Sequence, residues 1–199
     1  MPDHTEQELK ERLSLIESMI AEGRRNTESW GWTFVLWGVA LYAAFAWSAL
    51  KQSPWAWPVT ALLALAATIL IASAKRGGYR ATTLGRAIGS IWIALAITMF
   101  ALFGGLGVSG RFNDPHVFAA ALCAILGLAN GASGLILRWK AQVACAAMWW
   151  LAAVAACFGT DDQSMIALLA AIFLGQIVFG IYGMIAEARA RKRRIPIHA

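Results

Sequence analysis

Two amide side chains lie deep inside long apolar stretches of the sequence. Asn130 sits in the run GLANGASG, and Gln176 follows Gly175 in a later run. An amide at bilayer depth either contacts a ligand or hydrogen-bonds to a neighbouring helix, an interaction worth about 1 kcal/mol. The apolar runs contain no Asp, Glu, Lys or Arg, which disfavours proton-coupled transport and ion conduction. The two amides are therefore candidates for an uncharged ligand pathway or for helix packing.

A second set of candidates lies where two apolar stretches begin. It consists of Asp114 with His116, and of Asp161 with Asp162. Carboxylates and an imidazole suit a divalent cation, and they also suit an acid sensor because His titrates near about pH 6.5. A structural role fits as well, since Asp114 precedes Pro115 at a helix start and Asp162 is placed to cap the last helix. Both interpretations stay open at this stage.

The sequence offers little for catalysis. It contains no G-x-S-x-G, no H-E-x-x-H and no phosphate-binding loop. The three cysteines, Cys123, Cys145 and Cys157, all fall inside apolar stretches, without a His or second Cys at ligand spacing. We therefore expect no enzyme, no cofactor and packing roles for the cysteines.

The elements that position these residues are membrane helices. The 199 residues are 59 % hydrophobic and 14 % charged, and the mean hydropathy is +0.60, which excludes a soluble core. Lipid cannot satisfy backbone amides, so apolar runs of roughly 17 to 25 residues must be spanning helices. Six runs qualify, which predicts an all-α, polytopic membrane protein: Trp32–Leu50, Trp55–Ala74, Ala87–Val108, His116–Leu137, Ala141–Phe158 and Ser164–Ala186.

The basic residues predict the orientation of this bundle. Of the 17 Lys and Arg residues, all but Lys51 and Arg111 fall on one side of the six spans. Basic residues near spans stay on the cytoplasmic side. Both termini are therefore expected in the cytoplasm, with the bundle in the inner membrane of a bacterium. The same asymmetry accounts for the basic excess, so the lipid bilayer and not nucleic acid is the expected partner.

The chain divides into three regions. Residues 1–30 are predicted to form a cytoplasmic amphipathic helix and connector, 31–188 the bundle, and 189–199 a basic tail. Thr5 and Glu8 match a capping box, and Gly23 predicts the helix end. The apolar stripe of this helix is typical of a short coiled coil, of binding in a partner's groove, or of docking on the chain's own bundle. The stripe consists of Leu9, Leu13, Ile16 and Ile20.

Glycines predict close helix packing and an internal repeat. Aligning NGASGLIL with FGIYGMIA places Gly131 over Gly180 and Gly134 over Gly183, and Gly127 extends the first set by one turn. Small residues at this spacing let another backbone approach. The six spans are therefore interpreted as three parallel helical hairpins.

The hairpins carry a family resemblance. A Trp lies early in each rising helix, at Trp37, Trp92 and Trp149, and the two later returning helices carry the G-x-x-G-x-I pattern of those glycines. This arrangement resembles the small six-span membrane proteins of the HdeD acid-resistance type, over Trp32–Ala186. The resemblance implies an inner-membrane protein of envelope stress without established catalytic residues.

Three hypotheses for function follow. The first is a non-enzymatic interaction or regulatory protein, or an envelope-stress protein, whose N-terminal helix recruits a partner or drives self-association. The alternative is a transporter or channel for a small or lipid-like solute, with Asn130 and Gln176 in a pathway that Thr68, Ser90 and Thr98 extend. The third is an acid or metal sensor at Asp114, His116, Asp161 and Asp162.

Overall fold

The computed structural model describes residues 3–51, 53, 55–75, 83–109 and 114–192, and these residues are helical apart from short links. Six of the described helices are long and apolar enough to cross a membrane, which confirms the predicted all-α, multi-pass membrane fold. The elements are α1 (Asp3–Ser29), α2 (Gly31–Lys51), α3 (Ala56–Lys75), α4 (Thr83–Val108), α5 (Pro115–Ile136), α6 (Lys140–Phe158), α7 (Asp161–Ile172), a π-helical segment (Phe173–Val178) and α8 (Phe179–Lys192).

The centre of the bundle is formed by α5, α6 and the last span, which runs through α7, the π segment and α8 without a break. α2 packs along the π segment and α8, while α3 packs on α2 and α4 on α5. Trp149, Leu168 and Ile172 are almost completely buried between these helices. The core therefore lies around α5, α6 and the last span, and α3 and α4 are peripheral.

The two ends of the bundle differ in charge. α1, Arg138 and Lys140 lie at one end, which we name the basic end, and Asp114 and Asp161 lie at the other, the acidic end.

Helix α1 does not stop at Gly23, as its sequence pattern predicts, but continues to Ser29. The physical reason is tertiary packing: a Cβ built on Gly23 would lie 2.7 Å from Leu84 Cδ2 and 2.9 Å from Leu137 Cδ2. This glycine is needed for a close approach and not for a chain reversal. It seats the second half of α1 on the bundle, whereas residues 6–19 are exposed.

Helix starts at the acidic end are capped by side chains. Asp114 Oδ1 accepts from the backbone N–H of His116 at 2.9 Å. At α7 the cap is Thr160, not Asp162, because Thr160 forms a complete capping box with Gln163. Asp162 instead lies in the first turn, where a carboxylate interacts favourably with the helix dipole.

The glycines of the two aligned segments have different neighbours. Gly131 and Gly127 face the indole of Trp150 on α6, and in this segment only Gly134 approaches a backbone: a Cβ there would lie 2.9 Å from Val143 N, also on α6. Gly180 instead contacts Gly31 at the crossing of α8 and α2. The shared sequence pattern thus supports packing of α5 on α6 in one segment and the crossing of α8 and α2 in the other.

Candidate functional site

Gln176 lies in the π segment of the last span, which the sequence pattern did not predict. π-helical turns occur frequently at functional sites because they shift the side chains that follow them. Gln176 is 4 % exposed, and a Cβ built on Gly38 of α2 would lie 2.9 Å from its Cβ. Gly175, one residue earlier, faces the Trp149 indole of α6. Gln176 is therefore enclosed between α2 and its own span.

Asn130 lies in the protein interior on α5. Its side chain is fully buried, and Nδ2 donates to the Leu126 carbonyl of the same helix at 2.9 Å. Its Oδ1 has no hydrogen-bond partner among the described residues, and neither has the Oγ of Ser133, one turn further along. Buried polar atoms without partners are uncommon in native proteins, and each calls for an explanation.

Sequence reasoning missed a third buried amide, Gln142. It lies in the first turn of α6, is fully buried, and neither of its amide atoms has a partner in the described part of the chain. The available signal was its place one residue inside the predicted span Ala141–Phe158, beside Lys140. That position predicts a residue at the membrane interface, where water and headgroups can hydrogen-bond to an amide.

The residues proposed to extend a polar pathway lie on different surfaces. Ser90 and Thr98 are exposed on α4 and donate to carbonyls of their own helix, at 3.0 Å and 2.9 Å. Thr68 is half-buried on α3, where its Oγ1 accepts from Trp37 Nε1 at 3.2 Å. These hydroxyls therefore do not share a surface with Asn130 and Gln176, which lie in the interior.

At the acidic end the structure brings together two of the four predicted residues. His116 Nε2 lies 2.7 Å from Asp161 Oδ1, and His116 Nδ1 lies 2.8 Å from the Ala156 carbonyl. Ser164 Oγ lies 2.9 Å from the same Nδ1. Asp114 caps its own helix instead of joining this cluster. The imidazole thus links α5 to α6 and α7.

The order Ser164, His116, Asp161 resembles a hydrolytic triad, but its geometry argues against nucleophilic catalysis. Ser164 is fully buried, and its hydroxyl donates to the Ala156 carbonyl at 3.0 Å. A catalytic serine must reach its substrate and pass its proton to the base. The cluster therefore acts as a clamp between helices.

The described residues contain no group of three or more His, Cys, Asp or Glu side chains able to hold a metal ion. Cys123 and Cys145 are buried, and Cys157 is exposed. Cys145 Sγ donates to the Gly175 carbonyl at 3.6 Å, which joins α6 to the π segment.

The apolar stripe of α1 is unpartnered over its first half within the described chain. Leu9 is 59 % exposed, and Leu13 and Ile16 are each 53 % exposed. Ile20 is half-buried and lines a cleft together with Leu137. The free half of α1 is therefore a charged helix with an exposed apolar face.

No known protein family, no curated protein and no solved structure matches this chain.

Proposed function

We propose that this chain is a non-enzymatic protein of the bacterial inner membrane, with both termini in the cytoplasm, whose helix α1 pairs with a helix of a protein partner. The observation that carries the proposal is the exposure of Leu9, Leu13 and Ile16 on a helix whose other half is seated on the bundle. An exposed apolar stripe marks an interaction site. The envelope-stress role implied by the resemblance is compatible with such a module.

The partner that this helix fits best is α1 of a second copy. The stripe follows heptad spacing, with Leu13 at an a position and Leu9 and Ile16 at d positions. Arg12 then occupies a g position and Glu17 the following e position. In a parallel coiled coil, g of one helix faces that e position of the other, so each Arg12 meets Glu17 of the second copy.

Membrane insertion favours the parallel arrangement. Two copies inserted in one bilayer have the same orientation, and their α1 helices extend from the same side. The Arg12 and Glu17 pairs are attractive only in that arrangement. In the single chain Arg12 bonds Glu8 of its own helix at 2.6 Å, with both side chains exposed, so little free energy is lost when it changes partner.

Position-specific cross-linking tests the proposal. In the full chain with Cys157→Ser, whose remaining cysteines are buried, Leu13→Cys places a thiol at the stripe. Ser18→Cys places one on the opposite face, at a position that is also exposed. Oxidation in membranes is expected to give a covalent dimer with Leu13→Cys and none with Ser18→Cys.

Three results would count against the proposal. Equal cross-linking at both positions, or none at Leu13, would refute pairing through the stripe. A cross-link from Leu13→Cys to a protein of another mass would refute the second copy as partner. The orientation has its own test: in intact cells an impermeant thiol reagent should label Asp162→Cys but not Ser18→Cys, and the reverse pattern would overturn it.

The interior geometry favours this function over transport. Asn130 and Gln176 are enclosed by protein, and neither lines the two clefts at the basic end. The interaction surface, in contrast, is already accessible.

A further inference from the structure

The link between α5 and α6 has an unusual residue at its turn. Helix α5 ends in a Schellman motif, in which Trp139 N donates to the Gly134 carbonyl at 2.9 Å and Arg138 N to the Leu135 carbonyl at 3.2 Å. The residue after the cap is Arg138, with a φ of 49°. Glycine is usual at this position because other residues are strained there. An outlier of this kind points to a role for the side chain.

Arg138 stands at the basic end of a surface groove between α5 and α6, which we name the α5–α6 groove. The groove has a volume of about 510 Å³ and contains Lys140 beside Arg138. Its wall further into the span is apolar and consists of Gly134, Leu135, Val143, Ala144 and Ala147. Because Ala144 and Ala147 are exposed on a spanning helix, this wall faces the bilayer.

The two cations of the groove are available for an anion. No carboxylate in the described part of the chain pairs with Arg138 or Lys140. Arg24, across an adjoining cleft of about 420 Å³, is already engaged: it bonds Glu28 at 3.0 Å and lies over the Trp139 ring at 5.3 Å. Glu17 and Glu28 line that cleft beside Arg138 without forming an ion pair with it, so Arg138 and Lys140 remain open to a negative group.

The start of α6 adds to this positive potential. Its N-cap is Trp139, which makes no side-chain cap hydrogen bond. The first amides of the helix and its dipole thus favour a negative group next to Lys140.

We propose that the α5–α6 groove binds one anionic phospholipid from the leaflet that meets the basic end. Its phosphate lies between Arg138 and Lys140, and one acyl chain lies over the exposed side chains of Leu135, Ala144 and Ala147. The two cations match the phosphate headgroup of such a lipid, and the apolar wall matches its acyl chain. A soluble anion would use only the cationic half, and a zwitterionic lipid would leave part of the positive charge unmatched.

Because Arg138 has a left-handed backbone, its charge can be removed by a substitution that does not destabilise the fold. Arg138→Gly removes the charge and relieves the backbone, so this variant is expected to unfold at a higher temperature than the unmodified protein in neutral lipid. In anionic lipid it is expected to lose the additional stabilisation that the unmodified protein gains. Arg138→Asn serves as a second variant, because Asn also adopts left-handed conformations.

Lipid titration of the full-length protein tests the site. Phosphatidylglycerol is added to protein in phosphatidylcholine nanodiscs, and binding is followed by native mass spectrometry and by thermal unfolding. Arg138→Gly and Lys140→Gln should each weaken binding about fivefold, the factor for loss of one cation near an anionic headgroup. Arg189→Gln is the matched control, since this exposed cation lies at the same end on α8, outside the groove, and has no ion pair within the described residues.

A steric pair tests the acyl part. Ala147→Phe fills the groove, whereas Ala155→Phe places the same ring on an exposed position of α6 outside it. Binding should fall with Ala147→Phe only. An equal loss of binding with Arg189→Gln would show a general charge effect. Unchanged binding with Ala147→Phe would show that no acyl chain lies in the groove. Equal stabilisation by inorganic phosphate would identify a free-anion site. Each of these results overturns the proposal.

Discussion

The crossing of α2 and α8 gives a quantitative prediction. A Cβ built on Gly180 would lie 2.7 Å from the Gly31 carbonyl oxygen, and one on Gly31 would lie 2.7 Å from the Gly180 carbonyl oxygen. Both obstacles are backbone atoms, so a methyl group fits only if the two helices separate. We expect Gly180→Ala to lower the free energy of unfolding.

The magnitude is a balance of two effects. Overpacking costs about 1–3 kcal/mol, and alanine regains about 0.5–1 kcal/mol over glycine within a helix. The net loss therefore spans about 0–2.5 kcal/mol, and the centre of that range is about 1 kcal/mol. Gly104→Ala is the matched control, because a Cβ at Gly104 of α4 meets nothing within 4 Å. This variant should gain about 0.5–1 kcal/mol, which leaves roughly 2 kcal/mol between the two proteins.

The measurement is reversible unfolding by dodecyl sulfate in mixed micelles, followed by tryptophan fluorescence. The double variant Gly31→Ala with Gly180→Ala should lose less than the sum of the single losses, because both methyl groups enter the same contact. If Gly180→Ala is as stable as Gly104→Ala, the helices do not cross at these glycines and the reasoning is refuted.

Three further predictions use the same unfolding assay. Trp149→Ala should cost about 3–5 kcal/mol, since the indole is fully buried against Gly175; a loss below about 1 kcal/mol would contradict the described core. Gln142→Met should be neutral or stabilising by about 1 kcal/mol, because it removes two buried amide atoms without partners; a clear loss would reveal a partner for that amide. His116→Ala should lower the unfolding midpoint more than Asp161→Asn, because the imidazole also bonds the Ala156 carbonyl whereas the carboxylate is exposed. A larger loss with Asp161→Asn would contradict the role of His116 as a clamp between helices.

Span positions could be predicted from sequence because apolarity is a local property. The expected span His116–Leu137 and the observed α5 differ by one residue at each end, and Trp32–Leu50 differs from α2 by the same amount. The end of α1 could not be predicted in this way. Gly23 reads as a helix stop, but its contact with Leu84 and Leu137 joins residues far apart in sequence.

The interior sites depended on information that a one-dimensional pattern lacks. The π segment changes the register of the last span and so decides that Gln176 faces α2. The sequence places Gln142 at the membrane interface, whereas in the structure the packing of α5 on α6 buries it. The charge of Arg138 is visible in the sequence, but its left-handed backbone is not.

The polar side chains nevertheless follow a chemical rule that the structure makes visible. In its most apolar part, α5 has 56 % of its residues buried inside the protein, and α4 has 0 %. A hydroxyl on α4 can donate to a carbonyl of its own helix, as Thr98 does to Ala94, and needs no second helix. An amide cannot be satisfied in this way, because the bond from Asn130 to Leu126 still leaves Oδ1 without a partner. Of these two helices, only α5 shields an amide from lipid. The burial of a spanning helix therefore decides whether it can contain an amide or only a hydroxyl.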